Sequence, residues 1–379
     1  MILKLSGLVR SAVVLTMVLL SSCSSAPTGK EPAELRDFKA TVNGEVRWSR
    51  HVGEVGNAGL QPAVTRDAIY VANADGALLR LDPISGKKIW KIDSGFKISG
   101  AVGAGEGLVV VGGLKSELAA FDENGKLRWI TRVSSEVLSA PQIVDGMVVV
   151  RSSDGRIAAH SVEDGTRQWL YERSTPALIV RSHAGVVIRQ GVVFAGFAAG
   201  KLAAISLSNG VVIWESAVSQ PRGNTELERI SDITSLAAVD NDKVCAVAFQ
   251  GRLACFDIKQ GGMLWSREVS SDKGLALMQN TLYVTDADAT VLAMDKASGS
   301  TLWKNDQLFM RGASAPYVMD QYVVVGDFKG YLHVLSREDG NLLARIKTDG
   351  SSISFAPVAL GKGLLLQTRD GGVYSIDIN

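Results

Sequence analysis

Few residues in this 379-residue chain have the types and spacing that chemistry needs. The four histidines, His51, His160, His183 and His333, lie too far apart for the ligand spacing of a metal site. Asp286-Ala287-Asp288 places two carboxylates at a hairpin turn but lacks the further oxygen ligands and glycine of a calcium loop. No Cys-Cys pair, no Cys-x-x-Cys-His, no Ser-His-Asp arrangement and no glycine-rich phosphate loop occurs. The expectation is a protein that is not an enzyme and has no metal and no cofactor. Three thiols remain, Cys23, Cys245 and Cys255. The last two stand ten residues apart across a hairpin turning at Gln250-Gly251. They either join as a disulfide, which an oxidising compartment permits, or sit as two small residues buried between sheets.

Cys23 has a clear context. Lys4 and Arg10 precede a run from Ala12 to Leu20 that is apolar but for Thr16, and Leu20-Ser21-Ser22-Cys23 ends it. Nine residues cannot span a bilayer, so residues 1–22 are expected to be a secretion signal. The ending resembles a bacterial lipobox, which implies that Cys23 carries two acyl chains on a thioether glycerol and a third on its amine. The alternative is an ordinary signal with an unmodified cysteine. Ser24, where an aspartate favours inner-membrane retention, points to an outer-membrane anchor facing the periplasm. Residues 23–39 then read as lipidated cysteine and flexible tether. Without Lys4 and Arg10 the mature chain carries −1 with no basic block, which argues against nucleic acid.

The elements that position everything else are marked by tryptophan. Trp48, Trp90, Trp129, Trp169, Trp214, Trp265 and Trp303 each follow a glycine by four residues, and an eighth register, Gly340 to Ala344, lacks only the tryptophan. The intervals are 42, 39, 40, 45, 51, 38 and 41 residues, the length of one four-stranded propeller blade. Apolar runs such as Val192 to Ala195 and Tyr322 to Val325 supply inner strands, and Asp-Gly or glycine-rich turns join them. The register Ser116 to Trp129 is one residue shorter in its last turn.

The outer strand occurs eight times, and its first copy, Gly44 to Trp48, has no inner strands before it. The inner three close the chain from Phe355 to Ile376 with no tryptophan strand after them. The count balances if the N-terminal strand pairs with the C-terminal three. The sequence therefore predicts an all-β fold over residues 40–379, an eight-bladed β-propeller of four-stranded antiparallel blades closed by the two chain ends.

The long intervals, 45 and 51 residues, are consecutive, and the extra residues fall after Trp169 and after Trp214. Both insertions leave the same face of a propeller and make one composite surface. The first sets Leu178, Ile179 and Val180 beside Arg181, a mixture suited to an interface. In the second, Thr225-x-x-Glu228 has capping-box spacing, so a helical turn can present Arg229 and Asp232. The same residues would equally suit a packed loop with solvated charges.

The Gly-x-x-x-Trp ending resembles the repeat of the pyrroloquinoline-quinone dehydrogenase superfamily, which implies that each tryptophan is a structural plug between blades. The enzymes of that superfamily use vicinal cysteines, calcium ligands and a catalytic aspartate at the quinone, and the cysteine pair and the ligand set are missing here. Pro176-Ala177-Leu178-x-x-Arg181 and Thr225-Glu-Leu-Glu-Arg-Ile-Ser-Asp232, on a lipidated eight-bladed ring, resemble the BamB-type lipoproteins of the outer-membrane β-barrel assembly machinery. That resemblance implies a scaffold docking on the POTRA domains of the central barrel subunit through Leu178, Val180, Arg181 and Asp232, and assisting β-barrel precursors. Thr234 stands where that family often has a second acidic residue, which shifts weight toward Arg181. Two rival readings are a quinoprotein-like oxidoreductase and a glycan- or peptidoglycan-binding propeller. The second would need groove-lining aromatics, yet the tryptophans are all committed to blade docking. Strand addition of precursors at blade edges would require unpaired outer strands.

Overall fold

Within each repeat the second strand is buried and the fourth largely exposed. Ile69–Ala72, Leu108–Gly112 and Tyr322–Gly326 are buried at every position, whereas Lys88–Asp93 is exposed or half-buried throughout. A strand buried on both faces must be covered by neighbouring sheets on both sides, and that requirement stacks the blades face to face. The computed structural model describes residues 30–379, with Ala33–Asn379 as the compact unit containing the blades. The signal segment 1–22, the modification of Cys23 and the start of the tether lie outside the described residues.

Eight four-stranded antiparallel sheets are present. Seven follow chain order, as in Ala63–Val64, Ile69–Ala72, Ala77–Leu81 and Lys88–Asp93. In the eighth, Gly44–His51 lies beside Gly372–Ile378, which is followed inward by Gly363–Gln367 and Val358–Leu360. The ring is thus closed by the chain's two ends, as the strand count requires.

Each indole Nε1 donates to a backbone carbonyl in the outer turn of the next blade. Trp169 reaches Leu207 O at 2.7 Å, Trp214 reaches Ile258 O at 3.0 Å and Trp303 reaches Arg337 O at 2.9 Å. Trp48, Trp90, Trp129 and Trp265 do the same to Pro83, Glu123, Val162 and Lys296. The glycine of the receiving turn explains the Gly-x-x-x-Trp spacing. Gly210 has φ 74°, which favours glycine, and a Cβ there would lie 2.7 Å from the Trp169 ring. The glycine of one repeat therefore seats the tryptophan of the repeat before it. The shorter second turn loosens this fit: a Cβ on Gly125 would stand 3.4 Å from Trp90.

The missing eighth tryptophan also has a physical reason. The outer turn of the closing blade is replaced by the chain ends, where Asn43 and Asn379 exchange backbone hydrogen bonds of 3.0 and 2.9 Å. No turn carbonyl is offered there. Ile346 packs instead where a Gly44 Cβ would be, and Thr41 N–H donates to Leu343 O at 2.9 Å.

The structure shortens the tether expected to reach Lys39. Ala33 N–H donates to Phe309 O, and Ala33 O accepts from Arg311 at 3.0 Å. Leu35 packs on the core of the sixth and seventh blades, and the Arg345 guanidinium lies 5.1 Å from the Phe38 ring centre. The segment's polar composition hid these contacts, all made to residues about three hundred positions away. Cys245 and Cys255 stand directly opposed on neighbouring strands, Cα atoms 4.0 Å apart, and are joined as a buried disulfide.

Candidate functional site

The first insertion, residues 172–185, connects Arg167–Tyr171 of the third blade to Val186–Arg189 of the fourth. The second, residues 218–237, connects Val212–Ala217 to Ala238–Val239 of the fifth. Neither contains a strand or helix, so hydrogen bonds outside regular elements, from side chains and from single backbone groups, set their shape.

In the second insertion the capping box forms. Thr225 Oγ1 accepts from Glu228 N–H at 3.2 Å, and Glu228 Oε2 accepts from Asn224 and Thr225 N–H at 2.8 and 3.1 Å. Those N–H groups hold the Glu228 carboxyl below its ordinary pKa. Arg229 N–H returns to Thr225 O at 3.1 Å, completing one turn, and residues 221–229 are exposed, Leu227 by 68%. The chain then dives, and Ser231 to Ser235 are buried.

Asp232 lies at the bottom of that dive. The sequence reading presents its carboxylate to a partner, but the structure buries it at 4% exposure and uses both oxygens internally. Oδ2 accepts from Val180 N–H at 2.8 Å and Oδ1 from Ala199 N–H at 3.0 Å. Asp232 therefore joins the second insertion to the first and to the fourth blade at once. Thr234, also buried, lines the central cavity.

The first insertion carries the outward groups. Leu178 is 41% exposed, Val180 is half-buried with its N–H held by Asp232, and the Arg181 side chain is 52% exposed. Arg181 Nε and Nη2 donate to the two Glu136 oxygens, each at 3.0 Å, and that carboxylate raises the guanidinium pKa. His183 is pinned alongside: Nδ1 bonds Leu138 O at 3.0 Å, and the ring meets Phe355 edge-on at 5.4 Å. Burial lowers its pKa. Sequence reasoning missed Glu136, and the only clue was its spacing from Arg181, 45 residues, the third-to-fourth blade interval.

A cavity of about 500 Å³ is bordered by Val180, Arg181, His183, Leu236, Lys273 and Phe355, so the first insertion lies at the central channel. Among the described residues no group of three or more His, Cys, Asp or Glu could hold a metal ion. Asp286 caps its own hairpin, with Oδ1 accepting from Thr290 N–H at 2.7 Å. The arrangement offers apolar contact, directed charge and a rigid frame.

The family described as outer membrane protein assembly factor BamB matches residues 74–305. A protein of that name from Burkholderia pseudomallei is 37% identical over 365 residues, 96% of each chain. The crystal structure of BamB from Moraxella catarrhalis superposes with TM-score 0.81 at 25% identity, covering 88% of this chain and all of that one. A quinohemoprotein alcohol dehydrogenase from Comamonas testosteroni has TM-score 0.71 at 13% identity, with 88% and 76% coverage, a likeness of fold alone.

Proposed function

The chain belongs to the outer membrane protein assembly factor BamB family, and from that premise we propose that it is a scaffold docking through its paired insertions. The role of the family is assembly at the outer membrane and is not enzymatic. In this reading a lipid on Cys23 holds the ring at the outer membrane, facing the periplasm. The POTRA domains of the machinery's central barrel subunit engage the insertions.

The observation that carries the reading is the junction at Asp232. One buried carboxylate holds two insertions as a single body, and that body turns Leu178 and Arg181 outward. A loop serving only to connect blades has no use for a fixed apolar and cationic pair at its surface. Contact with β-barrel precursors is supported by the outer strands. They are edge strands in every sheet, and Val212 and Ile213 on one of them are 40% and 50% exposed.

The test is capture of the assembly machinery from membranes by the full chain. Arg181→Glu sets a carboxylate against Glu136 and any acidic partner, and with Leu178→Ala it should reduce copurification about thirtyfold, a loss of about 2 kcal/mol at an interface centre. Arg181 is half-exposed and Glu136 half-buried, so the pair is worth about 1 kcal/mol and the melting temperature should change little. Undiminished copurification by the double variant sinks the docking reading. Cys23→Ser should block lipidation and processing, while exchanging the whole signal for a cleaved secretory one should yield soluble protein, and detergent-phase partitioning of that form as strong as the native one would rule out the lipid anchor.

A further inference from the structure

Beneath the first insertion, between the third and fourth blades, two arginines lie against one aromatic ring. The Arg151 guanidinium is 5.0 Å from the Phe197 ring centre and that of Arg173 is 4.9 Å from it. Arg173 is paired with Glu215 at 3.1 Å. Arg151 Nη1 is shut away from solvent and finds no hydrogen-bond partner among the described residues. Asp232 lines the same cleft and acts on Arg151 through its charge, but its oxygens accept from Val180 and Ala199 N–H and make no hydrogen bond to the guanidinium. Arg151 as a whole is half-buried, but an Nη1 donor shut away without an acceptor is costly unless something supplies one.

Its position in the repeat indicates that this is not a general feature of the fold. Arg151 is the second-strand residue opposite Ile157. The residues in the same register of the other blades are Ala72, Gly112, Gly196, Val247, Thr285, Gly326 and Gln367, none of them charged. The only charged residue at this place in the ring stands where the first insertion covers it. The cleft is bordered by Val180 and Ser182 of that insertion and by exposed Ser174 to Pro176 at its mouth. It has room for about 30 Å³, space for one small planar group and not for a whole ligand.

We propose that the cleft formed by Arg151, Arg173 and Phe197 receives a single carboxylate, the side chain of an aspartate or glutamate on the partner that docks over the first insertion. The inference rests on the docking reading and adds to it the chemistry of the partner's contact. Arg151 supplies the free donor, Phe197 holds the guanidinium plane, and Arg173 adds positive potential. Burial, then the adjacent Arg173 charge, push the Arg151 pKa down to about 10 while Asp232 opposes, so the group remains a cation at neutral pH.

Three measurements on the full chain in detergent decide it. Saturation-transfer NMR with sodium acetate, at constant ionic strength and neutral pH, should give a saturable signal. Arg151→Gln should weaken that signal about tenfold or more, and Arg181→Gln should leave it in place. Equal acetate binding by Arg151→Gln, or binding of inorganic phosphate as tight as that of acetate, overturns the site. In the capture assay Arg151→Gln should lose most copurification and Arg151→Lys should recover part of it. The melting temperature of Arg151→Gln should not fall, because the Nη1 donor it removes has no hydrogen bond to lose; a purely structural arginine would lower it. Wild-type copurification by Arg151→Gln overturns the partner carboxylate as occupant. Failure of the docking reading itself is recognised separately, by the Arg181→Glu, Leu178→Ala variant, and leaves the acetate result standing.

Discussion

The tryptophan junctions and the paired insertions both rely on side-chain hydrogen bonds to backbone, with opposite consequences. At the junctions one arrangement is used seven times, an indole N–H on a turn carbonyl with the ring over a glycine. Repetition gives closure and uniform spacing, and no blade is thereby distinguished from another. At the insertions a single carboxylate, Asp232, makes bonds found once in the ring and fixes two irregular segments into one surface. Repeated contacts build the frame, and the unrepeated contact gives it a face. Change at a junction should therefore be read in stability, and change at the insertions in binding.

The largest expected effect comes from removing the frame's own closure. Deletion through His51 takes away the strand paired with Gly372–Ile378 and exposes a long edge, so the truncated protein should aggregate on expression. Deletion through Pro32 should leave a monomeric ring by light scattering. Aggregation of both truncations alike would show that closure does not depend on the strand.

Next is a single junction. Trp214→Ala removes the bond to Ile258 O and the ring packed between Phe194 and Phe256, and should cost about 3–5 kcal/mol in denaturant unfolding. Its machinery capture, measured well below the midpoint, should match the wild type. Lost capture in folded protein would blur the division between frame and face.

Asp232→Ala tests the one residue belonging to both classes. It leaves Val180 and Ala199 N–H without acceptors, so stability should fall by about 1–3 kcal/mol, less than at the tryptophan, while capture falls strongly. Reduced capture at unchanged stability would mean that the carboxylate meets the partner directly.

The smallest effect is a pH dependence confined to the frame. His333 is buried against Asp327 at 3.1 Å, and burial holds its pKa below the ordinary value despite that contact. The unfolded chain thus binds its proton first, and stability should decline as pH falls below about 6.5. Burial opposes the Asp327 charge, but hydrogen bonds from His333 and Tyr331 N–H pull its pKa down. Its contribution is present above the unfolded carboxyl pKa and is lost as pH falls through the lower folded value. Thermal melts of His333→Gln should show a flatter slope in the first window. An unchanged slope there would remove His333 from the account.

The blades were legible in the sequence because their determinants are local and repeated. Strand alternation, turn glycines and one tryptophan per repeat recur every forty residues or so, and closure follows from counting strands. The insertions were legible as places, since two intervals are long, and the Thr225–Glu228 cap was legible because its partners lie three residues apart. Only the tertiary structure decided what depends on residues far apart along the chain. It turned Asp232 inward to hold Val180, set Glu136 against Arg181, docked Ala33 on Arg311 and left Arg151 Nη1 without an acceptor among the described residues. Each of these is a contact whose partner no local pattern specifies. The ring had to bring the blades together before those side chains had neighbours at all.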